Sequence, residues 1–285
     1  MLIGAAAIAM FLYACSKEEE NIITSEDVAL AQDEVYMDAL YSEVDNLVEG
    51  SISTLDLNNY QPGSLKSTED MVCAIVTVDP FDGITFPKVI TIDYGEGCTV
   101  IFKNDTITYK GQIIIALTDR YYVPGAQRII TFNDFYINGT KIEGTRTITN
   151  LGQNEDGHLE VQVTLANGKI TFEDGTWATR TSSILREWVR KEDRLEDTLY
   201  ITGSSFGINV LGEEYVREIT EPIMMVHCYE YNYRWVRVDG TITITNSVKG
   251  VTTIDFGDGS CESAIVLKKR GERHNLIFRF RHRRF

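Results

Sequence analysis

The sequence predicts an all-β protein, an antiparallel meander forming a sandwich or barrel-like sheet, preceded by one N-terminal amphipathic helix. Three observations carry that expectation. Leu159, Val161, Val163 and Leu165 alternate with Glu160, Gln162 and Thr164, the period of two that turns one face of a strand to a core. Thr145-Arg146-Thr147-Ile148-Thr149 and Thr241-Ile242-Thr243-Ile244-Thr245 repeat it. Asn138-Gly139, Asp156-Gly157, Asn167-Gly168, Asp174-Gly175, Gly212-Glu213 and Asp239-Gly240 then punctuate the chain with residues that tolerate the positive φ of tight hairpins. Against this, Val28, Ala31, Val35, Ala39, Leu40, Val44, Leu47 and Val48 recur at helical spacing.

The elements follow in order. Leu2 to Ala14 is uncharged and mostly apolar, and as a helix it would rise about 20 Å, short of a roughly 30 Å hydrocarbon core. Residues 1–14 therefore read as an export signal rather than a membrane span. Leu12-Tyr13-Ala14-Cys15 has the form of a lipoprotein cleavage box, and residues 15–25 form an acidic tether that opens Ser16-Lys17-Glu18-Glu19-Glu20. Box and acidic run together resemble the signal and surface-export tag of surface lipoproteins from the Bacteroidetes. That resemblance implies a lipidated Cys15, a membrane partner held through the lipid, and an outer-membrane location facing the cell surface. The periplasmic face is the alternative.

The helix is expected over residues 26–50. Ser25 offers an N-cap, Glu26 and Asp27 suit the first turn, and Gly50 is placed to end the run. Its apolar stripe should pack on the following domain. Its acidic side (Asp33, Glu34, Asp38, Glu43 and Asp45) reads as a solvated face. Residues 51–70, with Asn58-Asn59 and Pro62-Gly63, read as a linker, and the β domain fills the remainder of 51–285. Ile184 to Arg194 fits a helix and a strand equally well.

One duplication stands out. Thr91-Ile92-Asp93-Tyr94-Gly95-Glu96-Gly97 and Thr253-Ile254-Asp255-Phe256-Gly257-Asp258-Gly259 match at five of seven positions, the others being conservative exchanges. Each copy is followed by a cysteine and has another upstream, which suggests two related β-units near 71–118 and 226–280. The run from Asp255 to Ser260 also resembles the signature turn of polycystic-kidney-disease-type sandwich modules, although the cysteine that follows departs from that pattern. Two carboxylates per turn are too few for calcium, so the motif reads as a structural turn.

Of five cysteines, Cys15 goes to the lipid. Cys73, Cys98, Cys228 and Cys261 are an even number in an exported chain, hence disulfides with three possible connectivities. The duplication favours Cys73–Cys98 and Cys228–Cys261. Metal-ligand spacing is absent among the cysteines and histidines, and no metal or cofactor is expected.

The net charge is −15, of which −10 lies between Cys15 and Gly50. Nucleic acid is excluded as a partner because no dense basic face with interleaved aromatics occurs. Arg279, Arg281, Arg283 and Arg284 read as the solvated side of a last strand. No nucleophile elbow, zinc-protease motif or phosphate loop is present, so no catalytic residue is nominated. His227-Cys228 could suggest a thiol nucleophile, but an oxidising compartment favours the disulfide. Trp177, Trp188, Trp235, Tyr229, Tyr231 and Tyr233 could stack on sugars, or could be ordinary cross-strand packing. The expectation is a non-catalytic, surface-exposed binding protein for a glycan, an envelope protein or a host surface. The alternatives are a glycoside hydrolase, with two close carboxylates in a cleft, and a lipid-carrying β protein, with an apolar cavity.

Overall fold

The computed structural model describes residues 22–54, 73–82, 84–102, 105–229 and 234–276. Cys15, Tyr231, Tyr233, Arg279, Arg281, Arg283 and Arg284 lie outside the described residues. Among the described residues a single helix, α1 (Ser25–Thr54), precedes β1 (Ile75–Asp79), β2 (Lys88–Asp93), β3 (Cys98–Phe102), β4 (Asp105–Leu117), β5 (Gln127–Ile137), β6 (Thr140–Gln153) and β7 (Leu159–Thr171). Then come β8 (Trp177–Val189), a 3₁₀ turn (Arg194–Glu196), β9 (Thr198–Ile208), β10 (Glu214–Cys228), β11 (Arg234–Asn246), β12 (Gly250–Asp258), β13 (Ile265–Lys269) and β14 (Glu272–Leu276). All the strands join one antiparallel sheet in sequence order, except that β3 pairs with the first half of β4 while β2 pairs with the second. The ambiguous stretch from Ile184 is thus strand to Val189, and the 3₁₀ turn follows it.

The sheet curls around α1. Polar contacts to the helix come from β4 (Tyr109 to Glu43), β6 (Arg146 to Asp45), β8 (Arg180 to Glu34), β10 (Arg217 to Asp38), β11 (Arg237 to Asp38) and β13 (Lys269 to Asp27). One straight rod can meet that many strands only if they wrap it, so the architecture is a barrel-like trough with the helix as its filling. Two core clusters result. The second half of α1 (Met37, Leu40, Val44, Leu47, Val48) packs with Ile90, Ile113, Ile130, Ile142 and Val163. The first turns (Ala31, Val35) pack with Tyr215, Ile242, Ile254, Phe256 and Leu267.

The wrapping corrects three expectations about the helix. It is not amphipathic in the sense of one wet face. Glu34, Asp38 and Asp45 are nearly buried because the inner wall supplies guanidiniums to meet them, and Glu43 is buried against the Tyr109 hydroxyl. The cap is Thr24 rather than Ser25: its Oγ1 accepts the Asp27 N–H at 3.1 Å, while the Asp27 carboxylate accepts the Thr24 N–H at 3.0 Å. This is a reciprocal capping box with Asp in place of Glu. Gly50 does not end the helix, which runs on to Thr54 with Ser51 and Ile52 buried against the sheet.

The ionic layer fixes α1 in place. Asp38 accepts from Arg180 and, at 2.8 Å, from Arg217, with Arg237 at 3.4 Å. Asp45 accepts from Arg146 at 2.6 Å and from Arg186 at 2.7 Å. Burial alone would raise the Asp38 carboxyl, but Arg217, Arg180 and Arg237 together hold it well below the ordinary carboxylate range. Asp45 answers the same opposition, burial against Arg146 and Arg186, and is held at about 2. Burial pushes the Tyr41 and Tyr215 phenols upward, so both stay neutral beside the guanidiniums.

Both disulfides form as the duplication suggests, Cys73–Cys98 and Cys228–Cys261, with Cα separations of 5.9 and 5.7 Å. Closing loops of 25 and 33 residues contributes about 3.5 kcal/mol each in the chain-entropy model. The duplicated turns are the same device twice. Asp93 accepts the Gly95 N–H at 2.8 Å and Asp255 accepts the Gly257 N–H at 2.9 Å, while Tyr94 and Phe256 enter the core. They sit on β2 and β12, near opposite edges of the sheet.

Candidate functional site

Alternation along β10 sorts its side chains. Tyr215 and Arg217 face α1, so Val216 between them faces outward. Val216 is the register partner of Phe206 on β9 and Thr245 on β11, and Thr245 is in turn paired with Val251 on β12. The result is an in-register row across four strands in which Phe206, Val216 and Val251 are 58%, 49% and 53% exposed. Two hairpin tips at the same end, carrying Leu211 and Val248, are exposed as well. Trp177 joins them. It lies two positions before Thr179, whose partner is Ile208, and so flanks the turn that holds Leu211. Glu214 and Glu218, also outward on β10, give the row a charged margin.

That turn is rigidly built. The Asn209 side chain accepts the Leu211 and Glu213 N–H groups at 2.9 and 3.0 Å and donates to the Glu213 carboxylate. Asn246 likewise donates to Glu213, linking the two hairpins. Burial would raise the Glu213 carboxyl, and these amide donors keep it below its ordinary range. The apolar tips are therefore displayed on fixed loops. Sequence alternation alone missed this row, since Phe206, Val216 and Val251 look like ordinary strand residues until register aligns them.

The opposite end of the trough holds a second group. Trp188 on β8 and Trp235 on β11 point inward and meet edge to face, with centroids 5.2 Å apart. His227, the register partner of Trp235, lies 4.0 Å from its ring, and Arg190 lies over Trp188 at 4.8 Å. Strands β9 and β10 separate β8 from β11, so this contact itself reports how tightly the wall curls. The helix crosses the trough diagonally, from Lys249 at one end (through Glu26) to Arg128 near the other (through Glu49). Of the nominated aromatics among the described residues, Trp188 and Trp235 come together. Trp177 lies eleven residues from Trp188, about 36 Å along the strand, on the other face. Tyr229 is exposed beside the Cys228–Cys261 bridge.

A cleft of about 550 Å³, counting the solvent at its mouth, opens between the first half of α1 and the hairpins above β8–β12. Its acids are engaged. Glu34 is bound to Arg180, and Asp27 to Lys269 and Thr24, which hold the Asp27 carboxyl low against the upward push of burial. Among the described residues, no group of His, Cys, Asp and Glu is arranged to hold a metal. No helix among the described residues is long and apolar enough to cross a membrane. No protein-family model, curated protein or solved structure matches the chain.

Proposed function

We propose that this chain is a lipid-anchored protein displayed at the outer membrane, which binds another protein through the outer face of β8–β12 and catalyses no reaction. The observation that carries the reading is the in-register apolar row of Phe206, Val216 and Val251 with Trp177, Leu211 and Val248 beside it. Exposed apolar groups in a contiguous patch with a charged margin are what a docking surface offers, and a tryptophan at its border suits a binding hot spot. The two disulfides fit an exported chain, and the lipid anchor at Cys15 rests on the cleavage box.

The other readings have less support. A sugar platform needs exposed, side-by-side rings, whereas Trp188 and Trp235 stand at 87°. A lipid carrier needs the concavity that α1 fills. A glycosidase needs a carboxyl kept protonated near neutral pH, and Asp27 is pulled the other way.

The test is cross-linking in the native envelope followed by purification, comparing the native chain with Phe206→Asp/Val216→Asp. Both side chains face solvent, so the fold should tolerate the change. A cross-linked partner recovered with the native chain and lost with the variant is expected. Recovery of the chain alone in both cases would refute the reading, and mass spectrometry showing an unmodified Cys15 thiol would refute the anchor.

A further inference from the structure

Five guanidiniums, those of Arg146, Arg180, Arg186, Arg217 and Arg237, meet only three carboxylates in the ionic layer, those of Glu34, Asp38 and Asp45. Two further buried acids of α1 are engaged elsewhere: Glu43 accepts from Tyr109 at 2.5 Å and Asp27 pairs with Lys269. Positive charge is therefore in surplus, and it collects at two residues. Arg146, Arg180 and Arg217 make close, hydrogen-bonded pairs and are almost wholly enclosed. Arg186 donates once, to Asp45, and its Nε is buried with no hydrogen-bond partner. Among the described residues, Arg237 has a 3.4 Å ion contact to Asp38 and a place over the Phe256 ring.

These two are also the ones that solvent reaches, at 18% and 19% side-chain exposure against 4% for Arg180 and 6% for Arg217. Each stands one inward step from a tryptophan on its own strand, Arg186 from Trp188 and Arg237 from Trp235, and those rings touch. Burial pushes both guanidiniums below their ordinary range against the pull of Asp45 and Asp38. Neighbouring cations add to it, Arg146 and Arg128 for Arg186, and Arg217, Arg180 and Arg186 for Arg237. Guanidinium stays protonated in proteins, so a half-paired cluster is relieved by an incoming anion rather than by loss of a proton.

We propose that Arg186 and Arg237, at 18% and 19% side-chain exposure, form a binding site for a small oxyanion, a carboxylate or phosphate group, on the tryptophan side of the trough. Planar forked donors suit the paired oxygens of such groups, and Arg186 and Arg237 are the guanidiniums of the layer that combine solvent access with the fewest hydrogen bonds. The site is separate from the outer apolar row, and either can fail without the other.

Inorganic phosphate and acetate are the probes, with chloride at matched ionic strength as the reference, added to the full chain. At a roughly hundredfold excess over its Kd, phosphate should raise the thermal midpoint by about 5–10 °C. Chloride should not. In Arg186→Leu/Arg237→Leu the midpoint in chloride should be equal or higher, and the phosphate increment should vanish. In a Trp177→Phe background, phosphate should also change the remaining tryptophan emission, and Phe206→Asp/Val216→Asp should leave that change intact. Identical midpoints in all three salts, or a phosphate increment that survives in the double variant, would overturn the site. If the double variant does not fold, the emission titration decides: a saturable change supports the site and a flat one overturns it.

Discussion

Replacing Asp38 by Asn tests the central claim that the helix is held by buried charge. The carboxylate accepts from Arg180 and Arg217 and faces Arg237 at 3.4 Å. Asn keeps the volume and removes the charge, leaving three guanidiniums around Glu34 alone. Breaking one partner of a buried pair costs about 3–5 kcal/mol, a large share of the roughly 5–15 kcal/mol by which domains are stable. With a urea slope of about 3 kcal/mol per molar, the steep end expected for a chain of this size, the unfolding midpoint should fall by roughly 1–2 M with little change in slope. Glu26→Gln is the control, because its partner Lys249 lies at the helix's exposed start and such surface pairs contribute about 1 kcal/mol or less. Equilibrium urea unfolding followed by tryptophan emission reads both. If Asp38→Asn falls within about 1 kcal/mol of Glu26→Gln, the buried layer does not hold the helix and the reasoning fails.

Two further outcomes follow from the same geometry. Asp45 is lowered from 3.8 to about 2 in the folded chain, so its contribution of about 2 kcal/mol is fully present above pH 4 and lost as pH falls through 2. Asp38, lowered further, acts in the same direction, and urea midpoints should be flat from pH 7 to about 5 before declining. Gly203 on β9 has φ +127°, and a Cβ there would lie 2.2 Å from the Ser183 carbonyl oxygen. Gly203→Ala should therefore cost roughly 2–4 kcal/mol and weaken the coupled near-UV dichroism of Trp188 and Trp235, since it opens the wall between them.

Much of the fold was legible because it is written locally. Alternation marks strands, Asn-Gly and Asp-Gly mark hairpins, and the repeated Asp-aromatic-Gly turn correctly paired four cysteines. Even the true cap was readable, as Thr24 three residues before Asp27. The acids of α1 were misread because their partners lie far along the chain: Arg146 is 101 residues from Asp45, and Arg217 is 179 from Asp38. A clue existed in Thr145-Arg146-Thr147-Ile148, where the arginine shares the inward parity of the buried isoleucine. No single strand, however, says that a helix will lie inside the sheet. The outer row was hidden for the related reason that it exists only across strands. Phe206, Val216 and Val251 become neighbours through hairpin register, which bulges between Glu218 and Ile223 and between Asp239 and Thr241 reset.

Because Asp27 pairs with Lys269, 242 positions further on, a helix made early is among the last elements to find its place. A ribosome releases residues 25–54 long before the wall that neutralises them, so a nascent chain carries an acidic rod with no enclosure. Completion waits for β10 to β13, and such long-range closure favours slow assembly. A truncation that removes only the final strands should thus expose the helix at the opposite terminus.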